Sequence, residues 1–309
     1  MKIIRSAVGS LPSLGIIEEL EKNKVEVIGI DSNPLSFGLY KLKKAYVVPM
    51  GSAPGFLEAI FKIIEKEKPD AILSGPEEEL LVLSKNKEEL KKRGVLLLCP
   101  DYDCIEICTD KKKTYKKFKE IGIPIPEEYT LENVKFPCII KPAKGRGSLD
   151  VYIAKNHEEL KLYYEKIKEP IIQEFIKGEE YSIDILSSIN GETLSVVPRI
   201  RLGVESGISI KGKTVYNKEI IDFCKKISKE FKLFGPSCVQ CIRGNNGIKF
   251  IEINNRFGGG SILSIKADTS IIPNLIRLIK NEKTISSDSF NQGLIMLRNY
   301  SEIFINKGN

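Results

Sequence analysis

Phe250-Ile251-Glu252-Ile253-Asn254-Asn255-Arg256-Phe257-Gly258-Gly259-Gly260 is the stretch from which the fold can be read. Alternation along a strand sends Ile251 and Ile253 to one face and puts the Glu252 carboxylate and the Asn254 amide together on the other. Gln240, on what reads as a preceding antiparallel strand, adds a third oxygen. An all-oxygen set suits Mg²⁺ when substrate phosphates complete its coordination. Arg256 follows as a fixed cation suited to a phosphoryl or acyl-phosphate oxygen, and the glycine run lets backbone approach closely. These residue types in this order point to ATP chemistry.

The chain around this stretch has 309 residues, enough for two or three domains, and its 42% hydrophobic and 29% charged residues are ordinary for a soluble globular protein. The net charge of +7 (48 basic minus 41 acidic residues) sits in Lys-rich runs with Glu interleaved, at 85–93 and 111–119. Such runs make solvated helix faces, and without an aromatic-interleaved basic patch no nucleic-acid partner is expected. No apolar run reaches the length of about 18 residues that a membrane helix needs, and the first residues read as a strand entering a turn. No membrane partner and a cytoplasmic location are expected. The seven cysteines are an odd number scattered over a large chain, as in a reducing compartment. Cys238 and Cys241 have the C-x-x-C spacing but no second pair or nearby His to finish a zinc site.

The first 108 residues alternate strand and helix. Strands are expected at 2–8, 25–30, 71–73 and 95–98, and helices at 13–23, 56–66 and after Pro76-Glu77-Glu78-Glu79. This predicts an α/β domain with a parallel sheet at 1–108. Gly9 and Asp31 sit where a dinucleotide-binding unit places its glycine turn and ribose acid, but the G-x-G-x-x-G spacing is missing and a structural turn is expected. A second unit begins near Asp110, a good N-cap for a helix over 111–120. Strands at 136–141, 151–154 and 171–176 with a helix at 157–168 fill 109–180. Strands at 181–187, 195–200, 237–242 and 248–253 with helices at 217–231 and 271–280 fill 181–309. Inserted helices between mostly antiparallel strands make this an α+β domain in two lobes.

Four blocks in order carry a resemblance: Asp110-Lys111; Phe136-Pro137-Cys138-Ile139-Ile140-Lys141-Pro142 with the loop Lys144-Gly145-Arg146-Gly147-Ser148; Ile171-Ile172-Gln173-Glu174-Phe175-Ile176-Lys177-Gly178-Glu179-Glu180-Tyr181; and the opening stretch with Gln240. The chain resembles the ATP-grasp superfamily of carboxylate–amine ligases, and within it single-unit proteins similar to half of a carbamoyl phosphate synthase large chain. The resemblance implies a pre-ATP-grasp domain at 1–108, a small lobe with glycine loop and hinge at 109–180, and a C-terminal lobe with the metal site at 181–309. It implies that Lys111 reaches the nucleotide phosphates and that Lys141 contacts the α-phosphate and the adenine edge. Lys144, Gly145, Gly147 and Ser148 would close over the β- and γ-phosphates, Glu174, Phe175 and Ile176 would read adenine through their backbone, and Glu180 would hold the ribose. Gln240, Glu252 and Asn254 match the metal ligands, with Glu252 bridging two Mg²⁺ ions for which Mn²⁺ can substitute, and Arg256 matches the residue that steadies the transferring phosphate. Asp150 stands where many relatives carry glycine, and Asn255 replaces the commoner proline.

Arg199 and Arg201 lie on one side of an extended segment, either as a clamp for a substrate carboxylate or phosphate or as solvent-facing residues of an edge strand. The only histidine, His157, starts a Glu-rich helix as a surface residue, so no Ser-His-Asp arrangement is expected. The resemblance implies ATP-dependent coupling of a small carboxylate to an amine, with release of ADP and phosphate, by a protein whose expected symmetric assembly is a homodimer. The alternatives are phosphorylation of a carbamate or carboxylate on the same fold, and a non-catalytic ATP-binding sensor or scaffold.

Overall fold

A computed structural model describes residues 1–145, 147 and 149–306. The first sheet has five parallel strands in the spatial order Lys44–Val47, Glu26–Asp31, Lys2–Ser6, Ala71–Leu73 and Leu96–Leu97. Lys2–Ser6 pairs with Glu26–Asp31 on one side and Ala71–Leu73 on the other, so the order reverses between the first strand and Ala71–Leu73. Both faces are covered, as a parallel sheet requires. Helix Ser13–Lys22 buries Ile16, Ile17 and Leu20, and helix Phe56–Glu67 buries Phe56, Ile60, Ile63 and Ile64.

A four-stranded antiparallel sheet follows, in the order Glu128–Tyr129, Pro170–Glu174, Cys138–Pro142 and Tyr152–Ala154. The third sheet has six antiparallel strands in the order Gly247–Asn254, Gly235–Gly244, Glu179–Ser187, Thr193–Glu205, Ile208–Thr214 and Ile295–Leu297. Helix Lys218–Phe231 lays Ile220, Ile221, Cys224, Ile227 and Phe231 into a core shared with Tyr115, Phe118 and Phe250. The expected architecture, a parallel α/β sheet and then an antiparallel two-lobed unit, is the observed one.

The third sheet is larger than the sequence suggests. The segment expected at 195–200 runs on to Glu205 and returns as Ile208–Thr214 through a turn with positive φ at Ser206 (48°) and Gly207 (77°). Two left-handed central residues are what a tight hairpin needs. All seven cysteines are free thiols, and no helix of the described residues is long and apolar enough to cross a membrane.

Candidate active site

The three sheets close on a cleft of about 740 Å³ lined by residues from each of them. Gln240 and Glu252 are direct cross-strand partners in the antiparallel pair, and the register shifts immediately after, between Gln240 and Cys241. The Asn254 amide nitrogen donates to Glu252 Oε1 at 2.8 Å, and Arg256 Nη2 donates to Asn254 Oδ1 at 3.2 Å. The sequence-expected ligands therefore share one corner of the cleft with Arg256. Their chemistry fits Mg²⁺: the donors are oxygens, and a half-turn of the Asn254 amide brings its oxygen toward Glu252. One carboxylate and two amides leave most of the ion's charge to be matched by substrate phosphates. No group of three or more His, Cys, Asp or Glu able to cage a metal exists among the described residues. The glycine run lies tightly beneath this corner, since a β-carbon at Gly258 would sit 2.7 Å from Cys238 Sγ and one at Gly260 2.5 Å from Arg199 Nη1.

Asp110 caps helix Lys111–Glu120, accepting from the Lys112 and Lys113 N–H groups. The Lys111 N–H donates to the Ala143 carbonyl at 2.9 Å and its ammonium to the Gly145 carbonyl at 3.2 Å, which ties the helix start to the glycine loop. Lys141 is 7% exposed, and its ammonium donates to Tyr115 Oη at 3.0 Å, whose own proton goes to the Ile251 carbonyl at 2.8 Å. Burial, with Lys111 nearby, pulls Lys141 down to about 8, against the opposing influence of Glu252. Gly145 and Gly147 line the cleft, and a β-carbon at Gly207 would lie 3.2 Å from the Gly147 backbone, so the loop reaches the Ser206-Gly207 turn opposite. Lys144 is exposed, 3.8 Å from Asp110, and is not among the lining residues. Ser148 lies outside the described residues. Asp150 holds φ at 55°, a left-handed conformation that glycine takes freely and Asp tolerates.

Glu174, Phe175, Ile176 and Glu180 line the same cleft. Glu180 is ion-paired to Arg201, whose Nη2 donates to the Gly207 carbonyl at 2.8 Å. Strand Thr193–Glu205 is internal to its sheet, so the edge-strand reading of Arg199 and Arg201 is corrected. Arg199 is 1% exposed, with Nε bonded to Asp184 Oδ2 at 2.7 Å and Ser264 Oγ at 3.0 Å. Both arginines line the cleft, but each already has a carboxylate partner from the protein. The dinucleotide-like pair is structural: Asp31 accepts from the Gly9 and Asn33 N–H groups, each at 2.9 Å, and so holds the turn after the first strand.

Several lining residues carry no sequence signal of their own. Gln173 is fully buried with neither amide atom hydrogen-bonded among the described residues. Arg5, Ser10 and Glu77 come from the first domain. Burial pulls Arg5 down to about 10, with Glu79 opposing and Arg256 adding. Burial pushes the Glu77 carboxyl up, while Arg256 pulls it back and Glu252 adds to the rise. Only the crossing of sheets brings these groups toward Glu252 and Arg256.

A parallel α/β sheet and two antiparallel lobes closing on a cleft lined with oxygen ligands and cations define the ATP-grasp class of architecture. The family comparison is specific: residues 108–260 match the ATP-grasp domain and residues 14–98 the PylC-like N-terminal domain, so the chain belongs to the ATP-grasp family. It is 27% identical over 190 residues to a carbamoyl-phosphate synthase from Methanobrevibacter smithii, covering 58% of this chain and 50% of that one. It is 31% identical over 189 residues to a D-alanine–D-alanine ligase from Fusobacterium nucleatum, covering 56% of this chain and 62% of that one. The structure superimposes on biotin carboxylase from Campylobacter jejuni, solved as a β,γ-ATP complex, with a TM-score of 0.78 at 15% identity, covering 95% of this chain and 74% of that one. At that identity the likeness is one of fold.

Proposed function

We propose that the chain is an Mg-ATP-dependent ligase that activates a carboxylate as an acyl phosphate and couples it to an amine. The observation that carries this reading is the convergence of Gln240, Glu252, Asn254 and Arg256 with Lys111, Lys141 and the glycine loop on one cleft. A substrate carboxylate oxygen attacks the γ-phosphorus of ATP and ADP leaves. The amine nitrogen then attacks the acyl carbon, phosphate leaves, and the nitrogen gives up a proton as the amide forms. Two Mg²⁺ ions, with Mn²⁺ as a substitute, supply charge neutralisation of the phosphates when bound at Gln240, Glu252 and Asn254. The chain's own part is to position and to neutralise, Lys111 and Lys141 toward the phosphates and Arg256 toward the oxygens in transfer. Glu174 to Ile176 offer backbone to adenine and Glu180 its carboxylate to the ribose. On this reading 1–108 is the pre-ATP-grasp domain, 109–180 the small lobe and 181–309 the metal-bearing lobe. Seven free thiols support a cytoplasmic setting, and a homodimer is the symmetric assembly expected.

The likeness to carbamoyl-phosphate synthase supports a second reading, in which phosphorylation of a carboxylate or carbamate is the whole reaction. ADP release measured with Mg-ATP and matrices of acids and amines separates the two. ADP formation that needs both partners and yields an amide supports the ligase, whereas ADP formation with the acid alone supports the kinase-like step. Absence of ADP in every combination would end both.

A further inference from the structure

In open parallel sheets, ligands settle at the carboxyl ends of the strands where the strand order reverses. Here that crevice lies between Lys2–Ser6 and Ala71–Leu73, and Arg5 spans it, with Nη1 donating to the Leu73 carbonyl at 3.1 Å and Nη2 to Ser13 Oγ at 3.2 Å. Both partners are neutral. Arg5 is 3% exposed, has no ion pair within 4 Å among the described residues, and its buried Nε has no hydrogen-bond partner among them. Glu79 offers only a longer-range counter-charge, its own carboxylate accepting from Ser74 Oγ at 2.8 Å. A buried guanidinium served this way is completed by an anion. Ala7, two residues on, holds φ at 50°, a left-handed backbone that a residue with a β-carbon keeps at a cost, of the kind that collects at ligand sites. The crevice opens into the cleft beside Arg256, and Glu77 stands at its mouth within electrostatic reach of Arg256 and Glu252.

We propose that this crevice receives the second substrate of the ligation and that this substrate is an amino acid, its carboxylate held by Arg5 and its amino group facing Glu77 beside the metal corner. The inference rests on the ligase reading and adds to it a substrate class and two recognition residues. Carboxylate in the crevice and amine at its mouth give the nitrogen a path to an acyl group at Arg256.

The test uses the full chain with Mg-ATP and supplies amino acids of both hands singly and in pairs, each also as its primary carboxamide. ADP release is read throughout. At least one amino acid should serve as amine donor and its carboxamide should lose about a hundredfold or more in kcat/KM, because an unpaired buried guanidinium then remains. Arg5→Met should raise the KM for that amino acid by about tenfold or more and shrink the discrimination between acid and carboxamide, which a merely structural role for Arg5 would leave intact. Glu77→Gln should raise the same KM with the discrimination retained. A carboxamide used within twofold of the acid, or discrimination unchanged in Arg5→Met, overturns the assignment. The acid–carboxamide comparison needs no variant and stands if Arg5→Met does not fold. ADP formation with simple amines but with no amino acid overturns the substrate class and leaves the ligase reading in place, whereas failure of that reading itself is seen as no ADP with any acid and amine.

Discussion

Gln240 and Glu252 face each other directly across the antiparallel pair, one residue before the register shifts. Beyond that pair the register is regular to the strand's end at Asn254, whose amide oxygen accepts from Arg256 at 3.2 Å. The proposed metal corner is thus a property of one hairpin, held from below by Tyr115, whose hydroxyl donates to the Ile251 carbonyl at 2.8 Å.

Glu252→Ala should lower Mg-ATP turnover at least about a hundredfold, since it removes the only carboxylate of the metal set. Glu252 is half-buried and outside the hydrophobic cores, so the melting temperature should move little. Steady-state ADP release and a thermal melt of the same sample check both halves.

If the cleft takes nucleotide as proposed, Lys141 gives that site a pH dependence. With the ammonium held at about 8 in the free protein, raising the pH above that value removes a phosphate-binding charge before nucleotide arrives. Binding should weaken by up to about tenfold per pH unit above 8, until the raised value of the bound state is reached. The sign for folding is opposite: the unfolded chain keeps its lysine proton to higher pH, so this group contributes more to stability as pH rises from about 8 toward its ordinary value. Titration of a fluorescent ATP analogue from pH 7 to 9.5 at fixed free Mg²⁺ should show the loss, and Lys141→Met should flatten it.

Asp110→Ala should cost about 1 kcal/mol of stability by uncapping helix Lys111–Glu120, whose first turn holds no acidic residue. Because Lys111 bridges from that turn to the Gly145 carbonyl, nucleotide affinity should fall as well. Urea denaturation gives the first quantity and nucleotide titration the second.

Asp184→Ala should be more damaging, by about 3–5 kcal/mol, because it strands the buried Arg199 guanidinium. Ser261 and Ser264 also donate to Asp184 and lose their acceptor with it. The urea midpoint measures this, and a Leu substitution at exposed Glu158 serves as a neutral control.

Much of this was legible in the chain because it is local. The shared side of Glu252 and Asn254 and the cap at Asp110 depend on neighbours within a few residues, and the structure has both; the expectation that Ile251 joins Ile253 on the opposite face is corrected, because the register shift skips Ile251, which lines the cleft while Phe250 and Ile253 enter the core. The dinucleotide-like Gly9 and Asp31 were readable as a turn from the missing glycine spacing alone. Arg5 and Glu77 were not legible, because one sits in an apolar strand and the other in an acidic helix start, and only the sheet crossing gives them a ligand-facing role. Arg199 and Arg201 were half legible: the shared side was clear from the period, but strand Ile208–Thr214, which makes theirs internal, follows only from the Ser206-Gly207 turn, a short pair with no strong signal of its own.

On the proposed function, ATP is spent on activating a carboxylate. An isotope-transfer experiment supplies Mg-ATP, amines and a mixture of amino acids and other small acids labelled with ¹⁸O in their carboxylates, and reads the phosphate released by mass spectrometry. Acyl-phosphate activation places one ¹⁸O in the phosphate for each ADP formed in the coupled reaction. ADP formed together with amide while the phosphate carries no label would contradict it.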